Sequence, residues 1–392
     1  MKVYFIGQKG IPAKFGGVEK HVEELATRLV KAGHEVFVYT RPNYTDRKLK
    51  KYRGVNLISL NNLATKHLDA ISHTFRACLD LTKRDADIVH FHSIGPSSLI
   101  WLAKLLKPGV PIITTFHTKC YEHKKWGAFA RLCLKMGESV ACRLADKVIA
   151  ISVPLAEYVK LKYKIKADYI PNGVSPAKTL KAEKIKKWGL KKDSYVLTVT
   201  RLVGHKGVQY LVSAYKNLKT DKKLVIVGDG AYTDGYVKQL KELAAGNENI
   251  IFTGNQTGRE LAELFSNAYV FIQPSESEGL SIALLEAMAH GKCVLVSDII
   301  ENTQVIENCG HIFKSRNSRS LKTKLLYLLS HPEIIKRYGL SAKKLVSKKY
   351  NWPKIVSLTI KLYSDQIYQR KTTGFKRFRL VQKITNLFFL NS

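Results

Sequence analysis

The sequence predicts an α/β protein made of two Rossmann-like doubly wound domains that face each other across a crevice. Three observations predict it. Short apolar runs alternate with amphipathic helical stretches over most of the chain. That rhythm breaks once, near residues 172–194, and then restarts. The 392 residues suit two domains at roughly 100–200 residues each.

The first unit opens with KVYFIG (2–7), an apolar run ending in Gly7, and the glycine-containing loop QKGIPAKFGG follows. Val22, Leu25, Ala26, Leu29 and Val30 then recur at helical spacing, Gly33 stops the helix, and EVFVYT (35–40) is the next strand. A strand, helix and strand in this order require a parallel sheet with helices on its faces. DIVHFHS (87–93), PIITTFH (111–117) and KVIAIS (147–152) continue the pattern up to the turn PNG at 171–173. After a Lys-rich stretch (178–192) come YVLTVTR (195–201), KLVIVGDG (223–230), NIIFTG (249–254), YVFIQPS (269–275) and CVLVS (293–297). The domains are therefore expected at 1–172 and 173–350. A helix at 351–370 is expected to pack back towards the first domain, and a basic amphipathic tail follows at 371–392.

Composition narrows the function. A 45% hydrophobic content excludes intrinsic disorder, and no run reaches the ~18–20 apolar residues that span a bilayer. The N-terminus MKVYFIGQKG reads as strand and turn and not as a secretory leader, so a cytoplasmic chain is expected. The six cysteines form no C-x-x-C pair and are expected to stay reduced. With 65 Lys+Arg against 31 Asp+Glu the net charge is +34, which attracts polyanions, although a Lys-rich codon bias would raise it without function.

Ligands of doubly wound sheets bind beyond the carboxyl ends of the strands. In PSESEGLSIALLEAMAHG, the strand YVFIQ ends, the chain turns, and Glu278-Gly279 is expected to open a helix running to about His290. Backbone N–H groups near Gly279, Leu280 and Ser281 would then form an anion site, with Glu286 two turns on. Ordinary acids at a helix start explain the two glutamates equally well.

The pattern P-S-x-x-E-G-x-x-x-x-x-L-E-A-M-A-x-G resembles the signature of the family-four retaining glycosyltransferases, which have the GT-B fold. FGGVEKHVEELATRL (15–29), TRLVGHKG (200–207), VIVGDG (225–230) and GNQTGREL (254–261) stand in the same chain order. The stretch at 117–152 resembles the rhamnosyltransferase-like subgroup. By this resemblance Arg201 and Lys206 hold a diphosphate, a planar fork beside a point charge. Gly16 and Gly17 line the donor phosphates and the acceptor entrance, although the residues alone fit a plain loop. Glu278 orients the sugar, Glu286 holds the ribose, and backbone near Gly254 and Asn255 flanks the base.

His117, at the end of PIITTFH, would meet a sugar hydroxyl or help deprotonate an acceptor, or serve only as a satisfied structural histidine. His90 and His92 read as structural. Asp85-Ala86-Asp87 precedes its strand and is set aside as a metal motif, so no metal is expected and no cofactor besides the nucleotide-sugar donor substrate.

The expected reaction is transfer of a hexose or deoxyhexose to a glycan acceptor, lipid-linked, in cell-surface polysaccharide assembly. Eleven lysines against two acids between Lys160 and Lys192, and five cations with no acid from Lys371 on, point to an anionic membrane surface at the inner face of the cell membrane. A nucleotide-sugar epimerase or a phosphorylase-like enzyme would use the same cations. A nucleic-acid-binding protein has only charge in its favour, and no nucleic-acid partner is expected.

Overall fold

The computed structural model describes residues 1–65, 68–122, 127–216, 218–230 and 233–373. They divide into two compact units, Met1–Pro171 with the residues from Pro353 on, and Asn172–Trp352. Most of the expected basic tail, from residue 374 on, lies outside the described residues.

The first unit is built on an eight-stranded sheet in the order β3-β4-β2-β1-β5-β6-β7-β8. The strands are β1 (Lys2–Ile6), β2 (Glu35–Thr40), β3 (Lys51–Tyr52), β4 (Val55–Ser59), β5 (Ile88–His92), β6 (Ile112–Phe116), β7 (Lys147–Ala150) and β8 (Asp168–Tyr169). All neighbours are parallel except β3 and β4. That hairpin turns on Arg53 and Gly54, both at positive φ, the backbone a two-residue loop requires. β5 and β6 are buried along their whole length, so the polar residues they carry, His90, His92, Thr114 and Thr115, are buried with the apolar ones and neither strand has a solvent face. The helix Gly17–Lys31 covers the sheet with Val22, Leu25, Ala26 and Leu29, all buried, while its lysines face water. The helix Trp352–Thr373 begins at the last residue of the second unit and continues in the first, where Ile355, Val356 and Tyr363 are buried.

The second unit carries a six-stranded, fully parallel sheet in the order β11-β10-β9-β12-β13-β14. Its strands are β9 (Tyr195–Val199), β10 (Lys223–Val227), β11 (Ile250–Gly254), β12 (Val270–Gln273), β13 (Cys293–Ser297) and β14 (His311–Phe313). Both sheets are Rossmann-like, as the strand-helix rhythm predicts. The sequence reading omits β3, β4, β8 and β14, which are short edge strands or, like VNLIS, polar enough to hide the apolar pattern. All six cysteines are free thiols. Among the described residues no helix is long and apolar enough to cross a membrane.

Candidate active site

In an open parallel sheet the crevice lies where the strand order reverses. In the second unit this point falls between β9 and β12, which run towards β10 and β13 respectively. The loop after β9 carries Arg201 and Lys206, and the loop after β12 carries Glu278. The sheet topology alone therefore gathers three of the residues singled out in the sequence.

Their geometry is tight. Lys206 Nζ donates to Glu278 Oε1 at 2.6 Å. Gln273 Nε2 and Ser275 Oγ donate to the same oxygen, each at 2.7 Å. Gln273 in turn accepts from Ser281 Oγ at 3.1 Å, so strand end, turn and helix start are locked together. Both members of the ion pair are largely withdrawn from water, with side-chain exposures of 14% for Lys206 and 7% for Glu278. Burial pushes the Lys206 ammonium below its usual range, the Glu278 carboxylate opposes this, and nearby Arg201 adds to it. Arg201 itself is exposed. The result is a fixed cation held by a carboxylate, with a second cation beside it in solvent.

Gly207 explains how the two loops come this close. Its φ is +70°, and a Cβ there would run into the Pro274 carbonyl oxygen. Only glycine lets the Lys206 loop lie against the turn that leads to Glu278.

One expectation needs correction. The helix expected to open at Glu278-Gly279 is Ile282–Ala289, and Ser281 is its N-cap, its Oγ accepting from the Leu284 N–H at 3.3 Å. A serine hydroxyl satisfies that donor where glycine cannot, so Gly279 and Leu280 belong to the preceding loop. Leu280 is buried and its carbonyl accepts from Asn172 Nδ2 at 3.0 Å. Glu286 lies partly exposed in the second turn of that helix. Gly254 ends the edge strand β11 at φ +68°, its carbonyl accepting from the Gly228 N–H, and Asn255 after it is exposed. In this unit the sequence reading misses the roles of Gln273, the polar end of an otherwise apolar strand, and of Ser275 in the turn after it.

In the first unit the strand order reverses between β1 and β5. The loop after β1 leads to Gly16, at φ +103°, and to Gly17, the exposed first residue of its helix. His92 ends β5, and His117 follows β6. His92 Nδ1 and His117 Nε2 share a hydrogen bond of 3.0 Å, and the ring of His21 lies 5.2 Å from that of His117. His90 uses both ring nitrogens, with Tyr363 Oη at 2.6 Å and Thr115 Oγ1 at 2.7 Å. Burial, reinforced by neighbouring imidazoles, holds His92 and His117 well below the usual histidine range, and drives His90 down to about 3. These rings are neutral at pH 7. Both nitrogens of His90 are thus engaged within the fold, whereas His92 touches His117 directly.

The sequence reading finds no metal constellation, but among the described residues His21, His92 and His117 each offer a ligand atom within 4.8 Å of the others. They come from three separate elements, so no spacing reveals them. Asp85 and Asp87 instead bind Lys2, through its ammonium and its backbone N–H, each at 2.7 Å.

Residues 15–178 match the family Glycosyltransferase Family 4, and residues 181–345 match Glycosyl transferases group 1. The alpha-monoglucosyldiacylglycerol synthase of Streptococcus pneumoniae is 28% identical over 302 residues, covering 71% of this chain and 67% of that one. Sucrose-phosphate synthase from Thermosynechococcus elongatus has a similar structure, with a TM-score of 0.78 at 22% identity over 94% of this chain and 99% of its own. The structure of Anabaena HepE in complex with UDP-glucose matches with a TM-score of 0.78 at 16% identity, over 93% of this chain and all of the other.

Proposed function

We propose that this chain, whose two halves carry the GT-B glycosyltransferase fold, is a retaining enzyme. In this reading it moves a hexose or deoxyhexose from a nucleotide sugar to a lipid-linked glycan acceptor. The observation that carries it is the Lys206–Glu278 pair beside Arg201 at the strand-order reversal of the second unit. A leaving diphosphate gains charge as its bond to the sugar breaks, and a cation fixed in advance stabilises that charge without reorganising. Arg201 and Lys206 take this role in place of a metal. Glu278, pinned through Oε1, orients the sugar with its remaining acceptor capacity. Glu286 holds the ribose, and backbone near Gly254 and Asn255 flanks the base.

In the transfer, the bond from the anomeric carbon to the diphosphate oxygen breaks. The acceptor oxygen bonds to that carbon on the same face, and its proton passes to the departing diphosphate. Gly16 and Gly17 belong to the phosphate and acceptor side, and neutral His117 meets a sugar hydroxyl or the acceptor. The glycolipid named in the Streptococcus relative and the UDP-glucose in the Anabaena structure support a nucleotide-sugar donor and a lipid acceptor. A deoxyhexose rests on the sequence of 117–152 alone. The +34 charge supports work at the inner face of the cell membrane.

The test is nucleoside diphosphate release from UDP-, GDP- and dTDP-sugars, with and without a membrane lipid extract, beside Arg201→Ala and Glu278→Gln proteins. Release from one donor that requires the extract and is lost in both variants is the expected result. Turnover without an acceptor would favour an epimerase or phosphorylase-like enzyme on the same site. Failure of every donor to bind would end the transfer reading.

A further inference from the structure

We infer that His21, His92 and His117 form a binding site for a divalent transition metal of the zinc class, with one coordination position open. All three side chains are buried, and their ring centroids form a nearly equilateral triangle with edges of 5.2, 5.4 and 5.7 Å. With Zn–N bonds of about 2.0–2.1 Å, each ring centroid lies about 3.2 Å from the metal, and tetrahedral angles then put centroids about 5.2 Å apart. The side chains already stand close to that arrangement, with one potential ligand atom from each within 4.8 Å of the rest.

The surroundings fit the same chemistry. His92 Nε2 has no hydrogen-bond partner among the described residues, a buried polar nitrogen that hydrogen bonding leaves unmet. His90 is excluded as a ligand because Tyr363 and Thr115 occupy both of its nitrogens; it packs 4.3 Å from the His92 ring as a wall. A set of three imidazoles without a carboxylate or thiolate suits zinc, copper, nickel or cobalt and does not suit the hard magnesium or calcium ions. Three histidines leave a fourth position for water or an oxygen ligand. A seated metal takes a lone pair from His117, and the nitrogen it occupies is withdrawn from proton transfer.

The test uses untagged full-length protein, stripped with a chelator and dialysed against Zn²⁺ or Co²⁺, with no sugar donor present. It therefore reads metal binding independently of the transfer reaction. Elemental analysis should find one metal per chain, and the Co²⁺ form should show the visible absorption of a nitrogen-ligated tetrahedral ion. Zn²⁺, but not Mg²⁺, should raise the thermal midpoint. His21→Ala and His92→Asn should each weaken binding by more than the about 10–100-fold typical of losing an outer-shell partner. Less than stoichiometric uptake by folded wild-type protein overturns the inference, and this result decides it even if the variants do not fold. Sulfur-to-cobalt charge-transfer bands would assign the metal to cysteine and overturn it too, as would unchanged affinity in both variants.

Discussion

Each unit keeps a polar cluster at its strand-order reversal, and the two clusters are chemically opposite. The second unit uses full charges: Lys206 and Glu278 in contact, with Arg201 adjacent. The first uses neutral rings: His90, His92 and His117, packed so deeply that protonation is suppressed. A charged pair at a crevice is suited to a ligand whose charge changes during reaction. A neutral imidazole cluster is suited to hydroxyls or a metal, and acid attacks it by protonating the rings.

Removing the ammonium of Lys206 should break the comparison most severely. Lys206→Ala leaves the Glu278 carboxylate buried without its counter-ion, while Gln273 and Ser275 still hold it in place. Loss of one transition-state donor costs about 10²–10³ in turnover, and an orphaned buried charge costs about 3 kcal/mol of stability. Diphosphate release and urea denaturation read the two effects separately. Retained turnover would show that the ion pair is structural only.

Gly207→Ala ranks next. The new methyl group meets the Pro274 carbonyl oxygen from a backbone at φ +70°, so the Lys206 loop must withdraw from the Glu278 turn. Strain and loop displacement together should cost about 2–3 kcal/mol. Turnover should fall although no charged group has been touched.

These two sites were unequally legible. The Glu278 block is contiguous in sequence, its strand, turn and helix are consecutive, and Arg201 and Lys206 follow an apolar strand in the loop after it; local spacing marks each segment, and the β9–β12 neighbourhood brings the two together. Even there the helix start was misplaced by about one turn, because Ser281 and not Glu278 supplies the cap. The histidine cluster draws residues 21, 90, 92 and 117 together with Tyr363, which arrives from the far end of the chain. Only the sheet order brings them together, and sequence spacing holds no record of a contact spanning 273 positions. Both parallel cores were legible because buried parallel strands read as apolar runs; two-residue strands such as β3 and β8 have no periodicity to read.

Acid should distinguish the units next. In the unfolded chain His90, His92 and His117 titrate near 6.5, whereas folded they bind protons only far below that, His90 near 3. The unfolded state therefore binds more protons as pH falls below about 6.5, and the stability these groups keep at neutral pH is progressively lost. Between pH 8 and pH 6 the three together should cost the first unit roughly 2 kcal/mol. Hydrogen exchange at both pH values should show β5 and β6 opening more readily while β12 and β13 change less. Equal loss in both units would place the acid-sensitive groups elsewhere.

The smallest effect tests how the imidazole cluster is held. Tyr363 and His90 are both fully buried, and the phenol Oη lies 2.6 Å from His90 Nδ1. Tyr363→Phe keeps the ring in its packing and removes one oxygen, leaving that nitrogen without a partner in a dry environment. The cost of such a loss is about 1 kcal/mol and comes from the stranded nitrogen more than from the lost bond. If so, a variant that also replaces His90 with an apolar side chain of similar size should recover part of the loss, since neither polar group then remains to be satisfied. A Tyr363→Phe protein as stable as wild type would mean that His90 finds another partner, and the helix Trp352–Thr373 would then be held in the first unit by apolar packing and by the Arg370–Asp146 ion pair at 2.5 Å.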